Sequence, residues 1–186
     1  MIGYAFCGSY CTIGQSLSVL RSLKERGLDI LPIMSDNVYR YDTRFFGAEE
    51  LRTLVEDICG RKIIHTIVDA EPLGPEVKLD ALVISPCTGN TLAKLACGIT
   101  DTPVCMAAKA HLRADRPLLI ALSTNDALSA NLKNIAVMLE KKSVFFVPMR
   151  QDAPKAKPHS LSACFELIPE ALDAAIGGRQ MNRLFL

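Results

Sequence analysis

The residues Ser85-Pro86-Cys87-Thr88-Gly89-Asn90-Thr91 crowd hydroxyls, a thiol, an amide and a glycine into one short stretch. They follow the apolar run Ala81–Ile84 and precede a helical pattern, Leu92-Ala93-Lys94-Leu95-Ala96. The chemistry these residue types suit is ligand binding. Small side chains let a flat or phosphorylated molecule approach the backbone, and a following helix N-terminus offers free N–H groups and partial positive charge. Open α/β sheets bind ligands at such points, beyond the carboxyl ends of their strands. The same residues also suit an ordinary strand-to-helix turn with Thr or Asn as N-cap. Gly8-Ser9, Ser35 and Ser123-Thr124-Asn125-Asp126 follow other apolar runs in the same way. In a parallel sheet such ends share one edge, so four polar loops converge on one crevice. Gly8 to Gly14 fits neither the dinucleotide fingerprint nor the Walker pattern. The hydroxyls of Ser9, Thr12 and Ser35 suit a single phosphate, hence a mononucleotide. Composition does not choose a flavin over another nucleotide, and a set of unrelated caps and turns is the alternative.

These loops need a scaffold, and the pattern supplies one. Ile2–Cys7, Asp29–Met34, Ala81–Ile84, Pro117–Leu122 and Ser143–Val147 read as strands, with Lys62–Val68 as a further short one. Helical spacing runs through Leu17, Leu20 and Leu23 to a stop at Gly27, then over Ala48–Cys59, Asn90–Cys97 and Leu128–Glu140, with another helix opening at Pro103. Strand-then-helix alternation predicts an α/β fold, a parallel sheet with helices on both faces. Glu71–Pro75 reads as a loop. Met149–Ser160, basic and punctuated by prolines, breaks the rhythm and reads as a long loop, either an active-site flap or a solvated linker. Helical spacing returns over Leu161–Ile176. The 186 residues are expected to form one domain, 1–186, with the basic flap at about 149–160.

Composition narrows the function classes. The net charge of +1, without a long basic block, leaves no nucleic-acid footprint. No apolar run approaches the ~18–20 residues of a membrane span, and no secretory leader is expected. The seven cysteines follow no zinc-binding spacing and read as buried thiols in a reducing cytoplasm; no metal site is expected. Cys7 and Cys11 are a weak redox pair, because their spacing is not Cys-x-x-Cys.

Read together, Ser85 to Asp101 resembles the signature of the flavin-dependent cysteine decarboxylase family of homo-oligomeric flavoproteins. The family motif is Pro-Ala-Ser-Ala-Asn-Thr, and Pro86, Asn90 and Thr91 stand at its fixed positions. Leu92-Ala93-Lys94-Leu95-Ala96, Gly98-Ile99 and Asp101 match its continuation. Leu118–Asn125 resembles the second signature, usually Ala-Pro-Ala-Met-Asn, with Asn125 retained, and Leu132–Pro148 resembles its helix-then-strand ending. The resemblance spans Gly3 to about Pro148. It implies a Rossmann-like or flavodoxin-like three-layer α/β/α sandwich, with FMN bound between protomers of a homotrimer or a trimer-based dodecamer. By this resemblance Gly8, Ser9, Thr12 and Ser35 hold the flavin phosphate. Pro86, Thr88, Gly89, Asn90 and Thr91 flank the ribityl chain and ring, and Ser123, Thr124 and Asn125 line the same pocket. Asn90 and Asn125 are the candidate catalytic residues.

Departures from the family pattern bear on the chemistry. Decarboxylases of the family carry a catalytic His on the loop before the motif strand, but Glu71–Asp80 contains none. His65 falls in a predicted strand and reads as structural. Leu122 and Thr124 replace the Pro and Met of the second signature. A missing general acid/base argues against decarboxylation. The opening Gly8-Ser9-Tyr10-Cys11-Thr12 and the tail Met149-Arg150-Gln151-Asp152 look closer to one branch of the family. Its members work with a second subunit of NAD(P) type. They convert a dihydrodipicolinate-type intermediate to dipicolinate, the pyridine-2,6-dicarboxylate of spores, in the cytoplasm of the mother cell. A dicarboxylate needs cationic partners. Arg150, Lys155, Lys157 and His159 in the flap are candidates, as are Arg40 and Arg44, each of which also reads as a solvated surface charge. The alternatives are a flavin-dependent decarboxylase and a non-catalytic scaffold for the NAD(P)-type partner.

Overall fold

The computed structural model describes residues 1–186. Its sheet is built on β1 (Ile2–Phe6), with β2 (Ile30–Met34) on one side and β3 (Ala81–Cys87) on the other, both parallel to it. Beyond β3 lie β4 (Leu118–Thr124) and β5 (Val144–Phe146), also parallel. Every residue of β1 and β3 is buried. Sheets covered on both faces select continuous apolar runs rather than alternation, which explains why these strands stand out in the sequence.

Alternate strand residues feed two cores. Ile2, Tyr4 and Phe6 pack under α1 (Ile13–Glu25), and the same core takes in α3 (Ala48–Cys59) and α8 (Ile168–Ile176). Ala5, Cys7, Leu82, Ile84 and Ile120 face α5 (Gly89–Cys97), α6 (Pro103–Leu112) and α7 (Leu132–Leu139). Two short helices complete the set, α2 (Asp36–Arg40) and α4 (Ile67–Ala70). The result is the expected three-layer α/β/α sandwich. No helix is long and apolar enough to cross a membrane.

Four local readings change. The motif strand runs on through Ser85, Pro86 and Cys87, so the loop before α5 shrinks to Thr88. The strand expected at Lys62–Val68 reduces to one bridge, Ile33 to Ile64. Thr66 accepts a hydrogen bond from the Asp69 N–H and caps α4, which takes the chain off the sheet. The helix expected from Leu128 starts at Leu132, after turns. Leu161–Ala163, expected helical, is strand β7, antiparallel both to β6 (Met149–Arg150) and to Ser123–Thr124 of β4. Met149–Ser160 is therefore neither a free linker nor wholly a loop. It starts as β6, and the rest is the tip of a hairpin stitched to the end of β4 through its second arm, β7.

Candidate functional site

The chain passes from β1 to β2 on one side and to β3 on the other, so the strand order reverses between β1 and β3. Helices leaving the two strands go to opposite faces, which opens a crevice at their carboxyl ends. Glycine makes the two loops fit: a Cβ on Gly8 would lie 2.8 Å from Cγ2 of Thr88. Ser9 adopts the left-handed conformation, φ 60 and ψ 49, a strain of about 1–3 kcal/mol for a non-glycine residue. Its hydroxyl donates to the Ser123 carbonyl at 3.1 Å, and its carbonyl accepts from the Thr12 hydroxyl at 2.8 Å. The first bond ties the loop after β1 to the end of β4, and the second closes that loop on itself.

The crevice has two compartments that share Ser9 and Thr88. The larger, about 360 Å³, holds Gly8, Ser9, Ser35, Thr88, Asn90 and Thr91 of the predicted set. Thr88 caps α5: its Oγ1 accepts the Thr91 N–H at 3.1 Å. The N–H groups of Gly89 and Asn90 lie in the first turn, where helices lack internal partners. Ser35 precedes α2 without a side-chain cap bond, so its hydroxyl is available to a ligand. Tyr10, Asn37 and Lys94 also line this compartment, and sequence reasoning missed them. Lys94 had a signal, because it stands one helical turn beyond Asn90. Its Nζ lies 2.7 Å from Asp101 Oδ1. Cys7 lies at the compartment floor, and its thiol donates to the Pro86 carbonyl at 3.2 Å. The neighbouring Cys87 thiol, with the Thr91 and Thr88 donors, draws Cys7 below its usual value despite burial; the same pairing and burial push Cys87 up. Cys11 faces the other compartment, and both Cys7 and Cys11 are free thiols.

The smaller compartment, about 270 Å³, brings Thr12, Ser123, Thr124 and Asn125 under the flap residues Asp152, Lys157 and Ser160. Asn125 is exposed, and a clamp of side chains beneath it fixes the turn that carries it. Thr124 Oγ1 donates to Asp126 Oδ1 at 2.6 Å, Asn131 Nδ2 donates to both Asp126 oxygens at 2.9 Å, and Asn134 donates to Asn131 at 2.8 Å. These donors, Thr124 first, hold the Asp126 carboxyl below its ordinary range against desolvation. The clamp presses on α5 so closely that a Cβ on Gly89 would lie 2.5 Å from Asn131 Nδ2. Sequence reasoning missed Asn131 and Asn134, since nothing local marks a residue at the start of α7 or within it as a partner of a turn. In the flap, Lys157 Nζ meets Asp152 Oδ2 at 3.1 Å, and the Gln151 amide donates to the Pro158 carbonyl at 2.8 Å. Desolvation raises the Asp152 carboxyl, but donation from Ser160 and Lys157 outweighs it and leaves the group below its ordinary value.

Other predicted residues lie elsewhere. Pro86 is buried within β3, where its carbonyl accepts the Cys7 N–H at 3.4 Å. Arg150 pairs with Glu166 at 3.6 Å and lines a separate apolar cleft with Leu128, Met149 and Phe185. Arg40 pairs with Asp36 at 3.6 Å, and Arg44 lies over the Phe45 ring at 4.8 Å. Lys155 and His159 are exposed at the flap tip. Of the six candidate cations, only Lys157 lines the crevice. His65 stacks on Tyr39, with centroids 3.8 Å apart and planes 7° off parallel, as suits a structural residue. Neither compartment is lined by a histidine.

Residues 1–172 match the Flavoprotein family. The chain belongs to that family. It is 40% identical over 185 residues to the B subunit of dipicolinate synthase from Bacillus subtilis (strain 168), covering 100% of this chain and 92% of the relative. The crystal structure of the dipicolinate synthase B subunit from Bacillus halodurans C superimposes with a TM-score of 0.91 at 38% identity, covering 100% of this chain and 95% of that one. The FMN-dependent cysteine decarboxylase SpaF, at 23% identity, shares the fold with a TM-score of 0.70 over 94% of this chain and 95% of that one.

Proposed function

We propose that this chain is the flavin-binding B subunit of a dipicolinate synthase, acting in the dehydrogenation of a dihydrodipicolinate-type intermediate to dipicolinate. The observation that carries the reading is the 40% identity to the Bacillus subtilis B subunit along essentially the whole of both chains. The crevice fits FMN on its own terms. Gly8 leaves a cradle where a Cβ would collide with Thr88. The Ser35 hydroxyl and the N–H groups in the first turn of α5 supply donors for a phosphate. Bound there, the flavin supplies a two-electron acceptor, and the protein's task is binding and orientation.

Each residue then has a definable task. The Ser35 hydroxyl and the α5 N-terminus hold the phosphate, and Lys94 stands one turn further along with its charge shared with Asp101 at 2.7 Å. The Asn90 amide both donates and accepts, which suits a polar ring edge or a carboxylate. Asn125, fixed by the Asp126 clamp, presents a second amide from the smaller compartment. The loop before β3, Glu71–Asp80, lacks the histidine that the family's decarboxylases carry there, which favours dehydrogenation over the decarboxylase alternative for want of that general acid/base. The electron-accepting pair is completed by a second subunit of NAD(P) type, the A subunit of dipicolinate synthase. Copies of the present chain assemble as a homotrimer or trimer-based dodecamer.

Titration of the purified chain with FMN, followed by absorbance, should saturate at one flavin per chain. Anaerobic addition of the dihydro intermediate, with and without the NAD(P)-type partner, should then bleach the flavin band. A chain that takes up no flavin refutes the reading. Uptake without bleaching in either mixture reduces the chain to a scaffold.

A further inference from the structure

The smaller compartment contains one cation, Lys157, and one anion, Asp152, and they neutralise each other at 3.1 Å. Its other lining groups are mainly hydroxyls and one amide: Ser9, Thr12, Ser123, Thr124, Asn125 and Ser160. Ser9, Thr12 and Thr124 spend their hydroxyl protons on the Ser123 carbonyl, the Ser9 carbonyl and Asp126, so the donors open to an anion are the Asn125 amide and the Ser160 hydroxyl that Asp152 now holds. The one cation that could fix the anion is already held by a carboxylate of the protein. Both partners are about half-exposed, 49% for the Lys157 side chain and 40% for Asp152. Exchange of the Lys157 partner costs little, because the ion pair contributes only ~0.2–1 kcal/mol at such exposure and an incoming carboxylate takes over the Ser160 hydroxyl that Asp152 gives up. The flap keeps its shape without the pair, through the Gln151-to-Pro158 bond, the Lys157 N–H to the Ala153 carbonyl at 2.7 Å and the Ser160 N–H to the Lys157 carbonyl at 3.1 Å. The Leu128 N–H also binds the His159 carbonyl at 2.9 Å and fastens the flap to the β4 side.

We infer that the smaller compartment is a carboxylate subsite in which Asp152 occupies the place of a ligand carboxylate on Lys157 until one arrives. The incoming group takes Lys157, the Ser160 hydroxyl that Asp152 releases and the Asn125 amide, and Asp152 turns out to solvent. A pyridine dicarboxylate fits this arrangement through one of its carboxylates. One carboxylate takes Lys157 beneath the flap while the rest of the molecule reaches past Ser9 and Thr88, the residues common to both compartments. The inference deepens the proposed function and rests on it for the choice of ligand.

The two members of an ordinary structural ion pair respond alike to removal, whereas a cation and its resident competitor respond oppositely. Binding of pyridine-2,6-dicarboxylate to the FMN-saturated chain, measured by calorimetry, reads the difference, with pyridine-2-carboxylate as the singly charged control. Lys157→Gln should weaken the dicarboxylate about tenfold, as loss of a charged hydrogen-bond partner does. Asp152→Asn should tighten it about threefold, the gain expected when a weak competing ion pair is removed. Lys157→Arg should stay within about threefold of the parent, since the charge is kept. The monocarboxylate should show the same opposite signs in the two variants, since one carboxylate suffices to engage Lys157. Thermal melting of each variant shows that the fold is intact. Weakening by both Lys157→Gln and Asp152→Asn, or no response to either, overturns the subsite and leaves the proposed function standing. Flavin uptake without dicarboxylate binding by the parent also overturns it. Failure to take up flavin counts against the proposed function itself, and the dicarboxylate series on the flavin-free chain then decides the subsite by the same opposite signs.

Discussion

Single residues in the crevice are under opposing demands. Gly89 opens α5, where alanine has the better helix propensity by roughly 1 kcal/mol. Its missing Cβ nevertheless makes room for Asn131 Nδ2, Thr124 Oγ1 and Asp126 Oδ1, the farthest of them 2.9 Å from where that atom would sit. Gly89→Ala should therefore destabilise the chain by about 1–3 kcal/mol, the usual cost of overpacking, read as a lower melting temperature together with weaker FMN retention. An unchanged melting temperature would show that the clamp yields freely. Asn90 sets stability against binding. A carboxylate in the first turn of α5 favours the helix by about 0.3–1 kcal/mol, but it loses the amide donor and repels a phosphate or carboxylate ligand. Asn90→Asp should leave melting unchanged or slightly raised while weakening FMN or dicarboxylate binding. Unaltered titrations with both ligands would remove Asn90 from the site. The residue types here were legible in the sequence, because small polar residues after an apolar run have a restricted set of uses. The Asp126–Asn131–Asn134 clamp was not, because a partner in another element leaves no local mark.

At the scale of elements, α6 carries a titratable group that the crevice does not use. His111 is fully buried, its Nε2 lies 2.9 Å from the Pro117 carbonyl, and its Nδ1 has no partner. Desolvation pushes the imidazole below its ordinary value; the Pro117 carbonyl opposes this and Arg116 adds to it. A proton accordingly binds the unfolded chain more readily than the folded one. The neutral ring's contribution to stability is complete above about pH 6.5, the unfolded value. It is lost as the pH falls from there through the depressed folded value. Urea unfolding should show the midpoint dropping between about pH 7 and pH 5, and His111→Gln should remove that part of the slope. Equal slopes in parent and variant would clear His111 of the effect. Element boundaries were readable where a cap or a run marks them: Ala48–Cys59 stands as expected, and Gly27, at φ 82, follows α1 where the stop was placed. They were unreadable at β6 and β7, which have two and three residues, too few to carry a period.

Across the whole molecule, the C-terminal segment closes an edge. β5 pairs with β4 on one side, and on the other Gln180 imitates a strand: its Oε1 accepts the Phe146 N–H at 2.8 Å and its Nε2 donates to the Phe146 carbonyl at 2.7 Å. An unpaired edge strand is a template for association, so this clasp protects as well as stabilises. Gln180→Ala should cost about 1–3 kcal/mol in chemical denaturation, two hydrogen bonds' worth, and speed amide exchange at Phe146. Exchange at the parent rate would mean that β5 needs no clasp. The sequence by itself determined the layered α/β plan and the four polar strand ends, because burial on both faces of a parallel sheet and helix capping are written in consecutive residues. Tertiary structure alone decided which of those residues meet. It stitched the β6–β7 hairpin to the end of β4, brought Lys157 into the crevice and sent Arg150 to Glu166. The physical reason is that a charge reads the same in sequence wherever it ends up. Its role is fixed only by which distant loop folds back against it.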